Sequence, residues 1–106
     1  MSDLHLKDNP TLADYQQYTL EMIKERGFED SVEQRFMLLL EEAGELAKAA
    51  RGRTSIKFAA DTKQKEVEEE AADVFIVLLA ICNLLGVDLE KAFREKEERN
   101  KQRVWK

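Results

Sequence analysis

The chain has 106 residues, 37% of them charged and 43% hydrophobic, which is room for one domain with one modest core. This mix is too apolar for a disordered chain and too charged for a membrane protein. One cysteine and one histidine exclude an internal disulfide and a four-ligand Cys/His zinc site within one chain. Asp and Glu number 22 against 17 Lys and Arg, and the net charge of −5 argues against binding a nucleic-acid polymer. The longest apolar run, Val74–Cys82, falls far short of the roughly 20 residues of a bilayer span. The N-terminus shows no signal layout, so the expected location is cytoplasmic, with no membrane partner.

In chain order, residues 1–10 read as a frayed tail. Asn9-Pro10-Thr11 then marks a helix start, and the first helix is expected over Leu12–Arg26 with Gly27 as a left-handed stop. Ser31-Val-Glu-Gln34 reads as a capping box that opens a second helix over Val32–Arg51, stopped by Gly52. Arg53–Asp61 reads as a mixed basic and apolar loop. Asp61 or Thr62 is expected to cap a third helix ending at Leu85, with Gly86 as its stop. Asp88 caps a fourth helix that runs to about Gln102, leaving 104–106 as a second frayed tail. No stretch alternates in the manner of a strand, and no repeat or linker divides the chain. The expected fold is all-α: a single domain over 1–106, an antiparallel four-helix bundle-like unit.

Acids dominate the inventory of catalytic side chains. Glu66, Glu68, Glu69, Glu95, Glu97 and Glu98 lie in charged runs, which are ordinarily solvated helix faces. Four others lie elsewhere. At 100° per residue, Glu42 and Glu45 share a face with Leu38, Leu39, Leu46 and Ala49. Glu70 and Asp73 likewise share a face with Val74, Val77, Ile81 and Leu84. Between Ala71 and Leu85 only Asp73 and Asn83 are polar.

Four half-buried carboxylates on two apolar faces repel one another and are costly to desolvate. Either Lys or Arg side chains reach in to pair with them, or a cation binds. An all-oxygen site selects a hard ion, Mg²⁺ or Mn²⁺, as in the carboxylate sites of helical bundles.

The run Leu39-Leu-Glu-Glu-Ala-Gly-Glu-Leu-Ala47, followed by Glu70-Ala-Ala-Asp73-Val, resembles the MazG-like nucleoside triphosphate pyrophosphohydrolases of the all-α NTP pyrophosphatase superfamily. The resemblance extends from about Leu12 to Arg103. It implies that Glu42, Glu45, Glu70 and Asp73 bind magnesium, and that Glu41 is an auxiliary acid that orients or deprotonates water. Glu41, Glu42 and Glu45 are then the catalytic acids. It also implies Mg²⁺-dependent hydrolysis of (d)NTPs between the α- and β-phosphates, as house-cleaning of the nucleotide pool, by a homodimer or a dimer of dimers. Lys96, Asn100 and Arg103, spaced to share one face of the fourth helix, match a phosphate-contacting set of that family.

Lys48, Arg51, Arg53 and Lys57 are further basic residues within reach of phosphates. Tyr15, Tyr18, Phe28, Phe36 and Phe58 are aromatic candidates for stacking on a base, with Phe36 expected in the core. Cys82 is expected to be inert core, and Trp105 a tail residue or a dimer contact. Two non-catalytic readings stand beside the enzyme: a helical dimerisation module, and a regulator that binds nucleotide without hydrolysing it.

Overall fold

The computed structural model describes residues 2–51 and 64–103. Four helices follow in order: α1 (Leu12–Arg26), α2 (Val32–Arg51), α3 (Gln64–Leu85) and α4 (Leu89–Lys101). No strand occurs among the described residues, so the fold is all-α as expected. Gly52, Arg53, Lys57, Phe58, the proposed cap at Asp61 or Thr62, and Trp105 lie outside the described residues.

Local chemistry accounts for the helix ends. Thr11 and Asp14 form a reciprocal capping box: the Asp14 amide donates to Thr11 Oγ1 at 3.2 Å and the Thr11 amide to Asp14 Oδ2 at 2.8 Å. Those bonds, first the Thr11 amide and then Lys7 at 3.2 Å, hold the Asp14 carboxyl below its usual range. Ser31 and Gln34 form the second box, at 3.1 and 2.8 Å. Gly27 ends α1 at φ +71°, and Gly86 follows α3 at φ +67°, a region that side chains other than glycine's rarely adopt. Asp88 Oδ1 accepts the Lys91 amide at 3.1 Å and starts α4.

The apolar run of α3 makes it the central helix. It packs against α2 on one side and α1 on another, while α4 rests on α1. Met22, Val77, Leu79, Ala80, Ile81 and Cys82 are buried, and Tyr15 meets Phe75 edge-on at 5.5 Å. Burial pushes the Cys82 thiol up, which makes it a poor nucleophile. The chain bends by 96° between α3 and α4, so α4 stands across the bundle rather than alongside it.

One polar network fixes that corner. Gln16 Nε2 donates to Asn83 Oδ1 at 3.2 Å and to the Val87 carbonyl at 2.8 Å, and Gln16 Oε1 accepts the Leu89 amide at 2.8 Å. Asn83 Nδ2 returns a bond to the Gln16 carbonyl at 2.9 Å. Asn83 is thereby explained: it ties α3 to α1. Gln16→Leu strands these groups, and each buried orphan costs about 1–3 kcal/mol. The expected result is a fall in Tm of at least about 5 °C by circular dichroism.

Phe36 is not in the core. It is 44% exposed, beside Met37 at 70% and Leu40 at 74%. The reason is geometric: α2 carries two apolar stripes, and α3 covers only the one that holds Leu38, Leu39 and Leu46. Residues 2–10 carry no helix and lie along α1, where Ser2 Oγ donates to Glu25 at 3.0 Å and Leu6 lines an apolar cavity with Tyr15 and Tyr18.

Candidate functional site

The seam between α2 and α3 brings three of the singled-out acids together. Carboxylate oxygens of Glu42, Glu70 and Asp73 lie within 4.8 Å of one another. Glu70 and Asp73 converge because i,i+3 residues share a helix face, and Glu42 meets them from the facing helix. Glu42 and Glu70 are half-buried, whereas Asp73 and Glu45 are exposed. The expectation of four half-buried acids thus holds for two, because the seam opens to solvent on the side of Asp73 and Glu45.

Glu45 stands outside the close group, although its charge reaches Glu42. Burial first, then the negative charges of Asp73, Glu70, Glu41 and Glu45, raises the Glu42 pKa above its ordinary 4.5. Glu41 is exposed beside this group.

Among the described residues, no Lys or Arg forms an ion pair with Glu42, Glu45, Glu70 or Asp73. Of the two ways to balance these charges, the basic side chain is therefore not the one observed. The oxygen-only donor set and its separations suit a small hard cation, whose opposite ligands sit about 4 Å apart at a Mg–O distance of about 2.1 Å. The cluster is thus able to hold a metal ion.

The raised pKa carries a stability consequence for the metal-free chain. Ionised Glu42 is destabilising above its native-state value, and protonation relieves that repulsion as pH falls through that value toward 4.5. In EDTA, Glu42→Gln should therefore be more resistant to urea than the wild type near pH 7. That difference should shrink on acidification toward 4.5, as read from urea midpoints.

Lys96 and Asn100 line one groove of about 320 Å³ on α4 with Phe93, which is 67% exposed. Asn100 Oδ1 is buried with no hydrogen-bond partner. Arg103 lies past the helix end, its amide donating to the Asn100 carbonyl at 3.1 Å.

This set is not beside the acids of its own chain. Asp73 lies 12 residues before the end of α3 and Lys96 seven residues beyond Leu89, which is ~18 Å and ~10 Å along two helices that bend by 96°.

A second feature adjoins the acids. A cavity of about 190 Å³ between α1, α2 and α3 has Asp73 in its wall, with Phe28, Leu38, Ile76 and Val77. Arg35 also lines it. This side chain is only 7% exposed, and its Nη1 donates to the Ala80 carbonyl at 2.9 Å. Sequence reasoning passed over Arg35. Its signal was the spacing: seven residues before Glu42 is two helical turns, which puts it on the same face. Of the aromatic candidates, Phe28 lines this cavity, while Tyr15 and Tyr18 line the apolar one beside it.

Among the described residues no single helix is long and apolar enough to cross a membrane. A comparison with curated proteins returns no match. The chain is similar to a solved structure described as the Bacillus-conserved MazG protein, a nucleotide pyrophosphohydrolase. The TM-score is 0.69 at 26% identity, covering 94% of this chain and 97% of that one. The resemblance seen in the acid motifs is thus matched at the level of the whole fold. The family model for phosphoribosyl-ATP pyrophosphohydrolase matches residues 9–100, and the chain belongs to that family.

Proposed function

We propose that this hydrolase, a nucleotide pyrophosphohydrolase by family, cleaves nucleoside triphosphates between the α- and β-phosphates, releasing a nucleoside monophosphate and pyrophosphate. The observation that carries this reading is the convergence of Glu42, Glu70 and Asp73 within 4.8 Å, with no base paired to them among the described residues. These acids, with Glu45 one turn along, would hold Mg²⁺ or Mn²⁺. When bound, the ion supplies charge neutralisation for the triphosphate and acidifies water. Glu41 or Glu45, both exposed, would accept a proton from the attacking water. The role suggested is the clearance of unwanted nucleotides. A non-catalytic module would leave the convergence of these three acids unexplained.

The test is release of monophosphate and pyrophosphate from a panel of NTPs, dNTPs and phosphoribosyl-ATP, with Mg²⁺ and with EDTA. The expected result is release of both products, reduced to background by EDTA. Release of inorganic phosphate alone, or none across the panel, would sink the assignment.

The working unit we propose is a homodimer or a dimer of dimers. Phe36, Met37, Leu40 and Phe93 leave large apolar surfaces in water. The radius of gyration is 16.5 Å, against about 13 Å for a compact domain of this length. Leu40→Glu should shift the chain to monomer in sedimentation velocity.

Lys96, Asn100 and Arg103 would contact the phosphates of a site whose acids belong to another copy, since α4 stands across the bundle from its own α2–α3 seam.

A further inference from the structure

We infer that the 190 Å³ cavity beside Asp73 takes the ring of the base, and that Arg35 reads a carbonyl oxygen on it. The inference rests on the proposed reaction and names its specificity-determining residue. Arg35 is a buried cation with five N–H donors, one of which meets the Ala80 carbonyl. Among the described residues no carboxylate lies within ion-pair distance of it. Its other nitrogens are not sealed away, since among the described residues Asn100 Oδ1 is the buried side-chain atom left without a partner, so they are open to an acceptor that enters the cavity.

The rest of the lining says what the acceptor belongs to. Arg26 and Asp30 also stand in the wall, but most of it, Met22, Phe28, Leu38, Ile76 and Val77 included, is apolar, which suits a flat ring. The volume is below the roughly 300–1,000 Å³ of sites that enclose whole drug-sized ligands, so one ring system fits and a nucleotide does not. Asp73 belongs both to the cavity wall and to the acid cluster, so a ring lodged here leaves its sugar and phosphates leading toward Glu42 and Glu70.

Guanine, cytosine and uracil carry a carbonyl oxygen and adenine does not. Arginine pairs readily with such an oxygen. A site built to bond a group discriminates against the analogue that lacks it. The preferred substrates are therefore nucleotides of oxo-bearing bases.

Binding of GMP, CMP, UMP and AMP, and of pyrophosphate alone, is measured by NMR on the Ile76 and Val77 methyls, for wild type and Arg35→Gln. The wild type should bind at least one oxo-bearing monophosphate about tenfold or more tighter than AMP. Arg35→Gln should bring that ratio to within about twofold. The KM values of the triphosphates should follow the same pattern.

Equal weakening of all four monophosphates overturns the inference. So does a response of these methyls to pyrophosphate alone, which would place a phosphate at Arg35. Should Arg35→Gln fail to fold, Ile76→Trp fills the cavity from its wall. By isothermal titration calorimetry with Mg²⁺ it should weaken all base-bearing ligands and spare pyrophosphate, and equal loss of pyrophosphate binding overturns the inference. Discrimination among the monophosphates without any triphosphate hydrolysis would sink the proposed reaction and support the pocket.

Discussion

Glu42→Gln and Asp73→Asn should each lower kcat by at least about a thousandfold while the helical circular dichroism is unchanged and Tm holds or rises. Activity and stability move in opposite directions for one reason. Glu42, Glu70 and Asp73 crowd their carboxylates within 4.8 Å, and neither Lys nor Arg pairs with them among the described residues. In the metal-free chain, burial first and then that repulsive crowding make the Glu42 carboxyl hold its proton above the ordinary value. Removing one charge relieves the fold and removes a ligand from a hard-cation site. Sites that trade stability for function behave in this way. Steady-state kinetics beside a thermal melt checks both signs. Near-normal turnover in either variant would sink the catalytic assignment, and a fall in Tm would mean that the acids are structural.

The second large effect is complementation. Glu42→Gln lacks an acid, and Lys96→Ala lacks a phosphate contact. Each variant alone should be nearly inactive. Mixed and allowed to exchange subunits, they should regain roughly a quarter of wild-type activity, because half the dimers are mixed and one site of two in each is whole. The argument is geometric. Lys96 lies ~10 Å along α4, and Asp73 ~18 Å back along α3, across a 96° bend. No side chain closes that gap within one chain. The unpartnered Asn100 Oδ1 shares a groove with Lys96, which fits a surface completed by another molecule. No recovery on mixing, with exchange verified by mass spectrometry, would place both residues in one subunit's site or remove Lys96 from it.

The sequence by itself determined the helices. Gly27, Gly86, Ser31 and Asp88 act locally, through a left-handed backbone or a side-chain bond to the next turn, so α1, α2 and the end of α3 fall where reading the chain puts them. It also determined the two acid pairs, because i,i+3 spacing alone sets a shared face. Only the tertiary structure decided which acids meet. Glu45 has the spacing of a fourth member and stays outside the close group, since its distance to α3 depends on how α2 and α3 cross.

Phe36 shows the same limit from the other side. An apolar stripe announces that something will cover it, and not that its own chain will, because α2 has two stripes and α3 fills only one. Arg35 was in register with Glu42 all along. That an arginine at that register is buried without a carboxylate depends on what surrounds it, and neighbours distant in sequence are set by packing alone.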